Sequence, residues 1–508
     1  MQTPGSSYLM AVDGGTESLR VGLFDFNGTM VSKASVSYKT AYPQSGWAEQ
    51  NPEDWWRALV EATRRCIGQS PIPPDNIAGI CCDATTCTLV PLGAEGQALR
   101  PAVLWMDVRA SGQAKRIFQT NHKALKYSLS GCNAEWMLCK ALWLYESEPV
   151  IYRNTAHFVE YLDWLNYKLT GRLVLNLNTA TQRWYYNQRE WGWPVDLFAA
   201  VGLDDLISKI PEDILPAGRL IGRLSVEAAN ALGLSPSTPV FQGGGDAFVS
   251  LLGLNVTETG KLGLIAGSSN VIAGFLEEKA HDPGIFGAFP DALIPGLWLI
   301  EAGQSAAGSM LAWFKKCFAP ETDFRSLDAE AGEIPLGSGG LIALDYFQGN
   351  RNPYTDSSAR GAIWGLSLHA TRAHVFRGLL ESIAYGARHI LEVFAGLGCS
   401  YDQLYACGGA TRSDLFMQII ADVCGTPIFL TEVADAAMLG GAVLTACGLA
   451  VYPDIRSASR SMVKTTREYV PDRENHEKYQ FYYSLYKETY HRLADLMHTM
   501  TEHQGRSV

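Results

Sequence analysis

The stretch Tyr8-Leu-Met-Ala-Val-Asp-Gly-Gly-Thr-Glu-Ser-Leu-Arg-Val-Gly-Leu-Phe24 decides how the chain is read. The apolar run ending at Val12 reads as a buried strand, Asp13-Gly-Gly-Thr16 as a tight turn, and Leu19 to Phe24 as a second strand. The sum is a hairpin whose turn is rich in glycine and carries an acid. Consecutive small residues at Gly14, Gly15 and Thr16 let backbone N–H groups point at an anion without obstruction by Cβ. A carboxylate beside such a nest repels phosphate unless a cation sits between them. Asp13 with this turn therefore suggests a Mg²⁺-nucleotide, with the carboxylate reaching the metal through water. Taken alone, Asp-Gly is also the commonest hairpin turn.

Working outward, the same pattern returns half a chain later. Lys261 to Ala266 is strand-like, Gly267-Ser-Ser-Asn270 is a turn, and Val271 to Phe275 is strand-like again. Two similar halves are a simple reading of this repetition. The boundary falls near Gly253 to Gly260, giving 1–254 and 255–508 as the expected domains. Trp55, Trp56, Leu59, Val60 and Ile67 have helical spacing over 53–67, and Ile77 to Cys82 reads as a buried strand ended by Asp83. The tail from about 474 to 503 reads as one packing helix, with Tyr479, Tyr482, Tyr483, Leu485, Tyr486, Tyr490, Leu493 and Leu496 near helical spacing.

Three further motifs carry candidate chemistry. Gly243-Gly-Gly-Asp246 precedes a helical run, so Asp246 is either an N-cap or a general base at a cleft, and three glycines exceed what capping requires. Gly267, Ser268 and Ser269 form a second small-residue turn for the other side of a phosphate chain. Cys407-Gly-Gly-Ala-Thr-Arg-Ser413 lies between a strand, Gln403 to Ala406, and a helix, Asp414 to Val423, an arrangement suited to an anion or nucleotide. Gly253…Gly260-Lys261 is not a P-loop, because six residues separate the glycines and Leu262 stands where Ser or Thr would bind Mg²⁺. Cys81, Cys82 and Cys87 lack metal-ligand spacing and read as core thiols, and His369 and His374 as packing or solvent residues.

Composition sets the frame. The 508 residues are 47% hydrophobic and only 18% charged, with 49 glycines, which excludes wholesale disorder and leans toward buried strands joined by tight turns. The net charge of −11 gives no general attraction for nucleic acid or anionic lipid. No apolar stretch approaches the ~20 residues that span a bilayer. Met1 to Ser7 is polar and uncharged, unlike a secretory signal. Eleven cysteines, an odd number, do not look like a disulfide framework, so the expectation is a cytoplasmic protein with reduced thiols and neither nucleic-acid nor membrane partners. A homodimer is compatible with this sequence.

Together these motifs resemble the FGGY family of carbohydrate kinases, within the actin/hexokinase-like ATPases, over nearly the whole chain. Asp13-Gly-Gly-Thr-Glu-Ser18 resembles the family's first phosphate motif, Gly243-Gly-Gly-Asp246 its catalytic-base motif, Gly267-Ser-Ser269 its second phosphate motif and Gly408-Gly-Ala-Thr-Arg-Ser413 its adenosine motif. Gly349-Asn-Arg-Asn-Pro353 with Arg360-Gly361 resembles a later family block. Glu301-Ala-Gly-Gln-Ser-Ala306, Asp83-Ala-Thr-Thr-Cys-Thr-Leu-Val-Pro91 and Leu104-Trp-Met-Asp-Val-Arg109 resemble the ribulokinase branch. The resemblance implies an α/β fold of two actin-like, ribonuclease H-like domains, each with a mixed sheet flanked by helices, around a central catalytic cleft. It implies ATP and Mg²⁺ as cofactors and a sugar as acceptor. Asp246 would be the base, with Asp13 and Asp246 near the metal. Gly14, Gly15, Thr16, Gly267, Ser268, Ser269, Gly303, Gln304, Gly408, Gly409, Ala410 and Ser413 would hold the nucleotide. Asp83, Ala84, Thr85, Trp105, Asp107 and Glu301 would line the sugar pocket, with Arg183 near the place of a sugar-contacting Lys of L-ribulokinases. The implied reaction phosphorylates a primary hydroxyl of a pentulose, most simply ribulose, with D-ribulose favoured over L-ribulose through Trp-Met-Asp-x-Arg. A polyol or other ketose as acceptor, and a nucleotide-dependent regulatory ATPase of the same superfamily, are the alternatives.

Overall fold

The hairpin read at the N-terminus forms as β1 (Tyr8–Gly14) and β2 (Ser18–Phe24), closed by a hydrogen bond from the Gly15 N–H to the Ser18 carbonyl at 3.0 Å. The computed structural model describes residues 7–127 and 132–505; the polar start read at Met1 to Ser7 lies, through Ser6, outside the described residues. The hairpin continues into β3 (Met30–Ser37) as an antiparallel meander. On the other side β4 (Ile77–Ala84) runs parallel to β1, and two strands complete the sheet, β5 (Leu220–Arg223) and β6 (Pro239–Phe241). The order is β5-β6-β4-β1-β2-β3.

A second sheet holds β7 (Gly260–Ala266), β8 (Asn270–Leu276), β9 (Gly287–Pro290), β10 (Trp298–Gln304), β11 (Tyr401–Cys407), β12 (Ile428–Thr431) and β13 (Thr465–Tyr469). Its order is β9-β10-β8-β7-β11-β12-β13. Counted outward from β7, three strands pair antiparallel on one side, β11 and β12 run parallel on the other, and β13 turns back. The first sheet repeats this plan around β1, and β9 is an addition. The repetition read in the sequence is thus a repetition of strand order and direction.

Helices cover both sheets: α1 (Pro52–Gly68), α2 (Leu177–Arg183), α3 (Asp246–Gly253), α4 (Gly308–Phe318), α5 (Phe324–Gly332), α6 (Arg372–Gly396), α7 (Asp414–Cys424), α8 (Ala436–Gly448) and α9 (Arg473–Gly505). α1 starts where the sequence favours it, with Asn51 accepting the Glu53 N–H, Pro52 at the first position, and Trp55 and Leu59 buried. The expected tail helix is α9. Its Tyr479, Tyr483, Tyr486 and Tyr490 are buried in the second core, whereas Leu496, counted on the same face, is exposed. Cys81, Cys82 and Cys87 are buried, and His374 packs beside His369 while its Nδ1 pairs with the Thr371 hydroxyl at the start of α6.

The halves of the chain are not separate in space. α8 is apolar all round and packs on the first sheet, where Leu439 and Val443 share a core with Leu9, Ala11 and Cys81 of β1 and β4. It also crosses α3 at backbone contact: a Cβ on Gly440 would lie 2.0 Å from the Val249 carbonyl oxygen, and one on Gly253 would lie 2.0 Å from that of Ala436. Gly253, read as the edge of the boundary, is the last residue of α3 and one of two glycines that let these helices touch. Gly440→Ala is therefore expected to push α3 and α8 apart and destabilise the protein by roughly 1–3 kcal/mol, the usual cost of overpacking. Chemical denaturation followed by tryptophan fluorescence measures this; an unchanged midpoint would refute the contact.

Candidate active site

Asp13 sits opposite Arg20 in the β1–β2 ladder and opposite Asp83 in the β1–β4 ladder. The registers place Arg20, Asp13 and Asp83 in one row across three strands. Asp13 Oδ2 lies 2.6 Å from an Arg20 guanidinium nitrogen, whereas Asp13 Oδ1 and both oxygens of Asp83 have no partner among the described residues. Asp13 and Asp83 are both fully buried. Burial, opposed by Arg20, pushes Asp13 up to about 7. Burial first, then the neighbouring Asp13 and Asp246, holds Asp83 well above the ordinary carboxylate range. Arg20 also faces Asp435, at 3.6 Å, just before α8.

Asp246 is the first residue of α3, and the N-cap position falls to Gly245. The capping alternative therefore does not describe Asp246. Its carboxylate accepts the adjacent Ala247 N–H at 2.7 Å, and burial raises its pKa. The loop before it is stitched to the first turn: Ala84 N–H donates to the Gly244 carbonyl (3.3 Å), Thr85 N–H to that of Gly14 (3.0 Å), and Gly245 N–H to Asn178 Oδ1 on α2 (2.9 Å). The glycine run has a steric cause, since a Cβ at Gly243 would lie 1.9 Å from the Cys82 carbonyl oxygen.

On the acceptor side, Trp105 is half-buried and its indole N–H donates to Thr16 Oγ1 at 3.0 Å, joining the first turn to the sugar-pocket candidates. Ala84 is buried and Thr85 half-buried at the end of β4. One Arg183 nitrogen donates to both oxygens of Glu301 at 3.0 and 2.9 Å, so α2 is joined to β10 across the halves. The other two guanidinium nitrogens of Arg183 are buried without a partner, beside the ring of Phe286 at 5.1 Å. Glu301 raises the arginine's pKa against the effect of burial. Asp107 departs from expectation. Its carboxylate is buried and committed to Arg109, at 2.8 and 2.7 Å, and to the Ala48 N–H at 2.6 Å, so in this structure its oxygens are taken up by internal partners.

A cleft of about 880 Å³ brings together Gly267, Ser268, Gly409, Ala410 and Ser413, five of the residues expected to hold the nucleotide, and Phe324 and Asp328 of α5 also line it. The Gly267–Ser269 turn, exposed at Gly267 and Ser268 and half-buried at Ser269, is tied to the start of α4: the N–H groups of Ala307 and Ser309 both donate to the Ser268 carbonyl at 3.0 Å. Gly408 has φ of +101°, and a Cβ there would meet the Ala266 carbonyl oxygen at 2.3 Å. A 3₁₀ turn over Gly409–Arg412 intervenes before α7, whose N-cap is the Ser413 hydroxyl, accepting the Phe416 N–H at 3.1 Å. Gly303 and Gln304 do not reach this cleft. Both are buried in β10, where the Gln304 amide donates to Asp345 and the Ile383 carbonyl and accepts from Asn270, and the Gly303 N–H donates to Asn352.

Arg20 and Asn178 were not singled out in the sequence. Arg20 carried a signal: with the turn at Gly15–Ser18, hairpin register sets it across from Asp13. Asn178 carried none, because its partner is 67 residues away.

The N-terminal domain of the FGGY family of carbohydrate kinases matches residues 8–253, and the C-terminal domain matches 262–449. A ribulokinase of Anoxybacillus flavithermus is 31% identical, the match covering 95% of this chain and 94% of that one. The FGGY carbohydrate kinase domain-containing protein of Xenopus laevis is also 31% identical, covering 94% and 95%. Among solved structures, the xylulose kinase of Rhodospirillum rubrum superposes with a TM-score of 0.87 at 28% identity, covering 97% of this chain and 100% of that one. With two matched domains spanning most of its length, a repeated two-sheet fold and a cleft flanked by small-residue turns, the chain belongs to the FGGY family of carbohydrate kinases.

Proposed function

We propose that this kinase transfers the γ-phosphoryl group of ATP to a primary hydroxyl of a pentulose, with D-ribulose favoured over L-ribulose, giving the 5-phosphate and ADP. The observation that carries the reading is the cluster of acids, Asp13 and Asp83 with Asp246 close enough to shift both, in which Asp13 Oδ1 and both oxygens of Asp83 are buried without a partner among the described residues. Relatives named ribulokinase and xylulose kinase support a pentulose, and Trp105-Met-Asp-Val-Arg109 supports D-ribulose among them.

Mg²⁺ fits this donor set. Orphaned, buried carboxylate oxygens call for a cation, and the described residues hold no ready cage of three His, Cys, Asp or Glu ligands. That pattern suits an ion held through one or two carboxylates, with water and phosphate oxygens completing the shell. When bound, Mg²⁺ neutralises charge on the phosphate chain. Asp13 would hold it through water, with Asp246 nearby.

The protein's own groups supply the rest. Asp246 accepts the proton of the attacking hydroxyl. The turns at Gly14–Thr16 and Gly267–Ser269 hold the phosphates from opposite halves through the groups left open by their internal bonds, Gly15 N–H to Ser18 and Gly267 N–H to Ser269, and Gly409, Ala410 and Ser413 flank the adenosine. Trp105 covers the apolar face of the sugar, and Asp83, Ala84, Thr85, Arg183 and Glu301 meet its hydroxyls. Closure of the halves excludes water, which otherwise competes for the γ-phosphoryl group. No described helix is long and apolar enough to cross a membrane, and the eleven free cysteines support a reducing, cytoplasmic setting.

In a coupled ADP-release assay over D-ribulose, L-ribulose, D-xylulose, ribitol and glycerol, D-ribulose should give the highest kcat/KM; a higher value for ribitol or glycerol would overturn the pentulose reading. Asp246→Asn should lower kcat by about 10²–10⁴-fold while calorimetry still finds ATP binding, and near-normal turnover would remove Asp246 from the role of base. Because burial raises the pKa of Asp246, the base is protonated and idle over a wider acid range than an exposed carboxylate. The acid limb of log kcat/KM, which reports the free enzyme, should lie above the ~3.9 of an ordinary aspartate. A limb at or below that value would contradict the assignment.

A further inference from the structure

The helix Met137–Ser147 is almost wholly apolar where it enters the first core, yet it carries Lys140 at 1% exposure. The ammonium donates to three backbone carbonyls: that of Cys87, that of Leu104 at 2.7 Å and that of Val103 at 3.3 Å. These use all three donors of a lysine, and none goes to a carboxylate. Burying an ammonium is costly, and the carboxylates of Glu135, Asp107 and Glu160 act on it through space without hydrogen-bonding to it. Burial accordingly lowers its pKa. An apolar side chain often replaces a buried charge at no loss of stability, so the segments that Lys140 joins are informative.

Those segments are the two that frame the acceptor pocket. Cys87 ends the turn that begins at Asp83-Ala84-Thr85, and it is held at φ of +62°, a left-handed conformation that a residue with a Cβ rarely adopts. Its N–H is pinned by Glu160 Oε2 at 2.8 Å and its carbonyl by Lys140, so the strained turn is fixed from both ends. Val103 and Leu104 lead directly into Trp105, whose indole reaches Thr16. One charged atom therefore sets the spacing between the strand end bearing Asp83 and the loop bearing Trp105.

We propose that Lys140 is a positioning residue for the acceptor sugar: it acts on sugar affinity through the carbonyls of Cys87, Val103 and Leu104 without touching substrate. The inference rests on the proposed pentulose pocket. Lys140→Met should raise KM for the best acceptor of the panel by roughly 10- to 100-fold, the penalty for a modest misplacement, while KM for ATP stays within about twofold. Lys140→Gln, which keeps two N–H donors, should move in the same direction by less, and it serves if the Met variant does not fold. A native acceptor KM in whichever variant folds, or equal rises in both KM values, overturns the inference and leaves the pentulose reading standing. Wild-type enzyme inactive toward every pentulose overturns that reading, and this inference with it.

Discussion

Two buried carboxylates held against one guanidinium are the constraint on which the rest of the molecule turns. Asp13 and Asp83 lie side by side in adjacent strands, and Arg20 satisfies one oxygen of the first. A folded chain tolerates such an arrangement when protons, or an incoming cation, balance the charge. The elevated pKa of Asp13, about 7, is the same statement in terms of protons. The row of acids is thus a concentration of buried negative charge with a single guanidinium against it, and the proposed phosphate and sugar contacts are built around that imbalance.

The second organising feature is mechanical. Asp246 begins α3 and Gly253 ends it, so the helix that presents the acid also makes the close crossing with α8. α8 in turn packs on β1, the strand that carries Asp13, and it begins one residue after Asp435, which faces Arg20. The two acids and the contact between the halves are therefore parts of one packed unit. A change in how α3 and α8 cross displaces Asp246 relative to Asp13, because close-packed interiors transmit small shifts and do not absorb them.

How much of this was legible in the sequence follows from the range of each interaction. The hairpins, the helix over 53–67 and the tail helix are set by local periodicity and turn residues, and they fold as read. The turns at Gly14–Thr16, Gly267–Ser269 and Gly408–Ser413 were visible as runs of small residues, which the structure explains at Gly408, where the Ala266 carbonyl leaves no room for a Cβ, and at Gly14, where the Tyr161 ring does the same. Asp107 was misplaced even though its partner Arg109 is two residues away, since an Asp-x-Arg pair can as easily be internal as ligand-facing. Gly303 and Gln304 were misplaced because their partners lie far along the chain, Asn352 49 residues from one and Asp345 41 from the other. The Arg183–Glu301 pair spans 118 residues and could not be read as a pair at all, although each member was singled out separately.

The ion pairs at Asp435 join the first sheet to the start of α8, and their environment differs from that of the acid pocket. Lys33 meets Asp435 at 2.8 Å with 42% of the lysine side chain in solvent, whereas Asp13 is 1% exposed. Mobile ions screen exposed charges over a Debye length of about 8 Å at physiological ionic strength and reach buried ones far less. Dissolved salt therefore acts selectively on this molecule, weakening the exposed Lys33–Asp435 pair at the seam while leaving the apolar crossing and the buried acids largely untouched. If the turns of the two halves grip one phosphate chain, as proposed, the ionic composition of the medium becomes a setting of that grip, separate from the chemistry of the reacting groups.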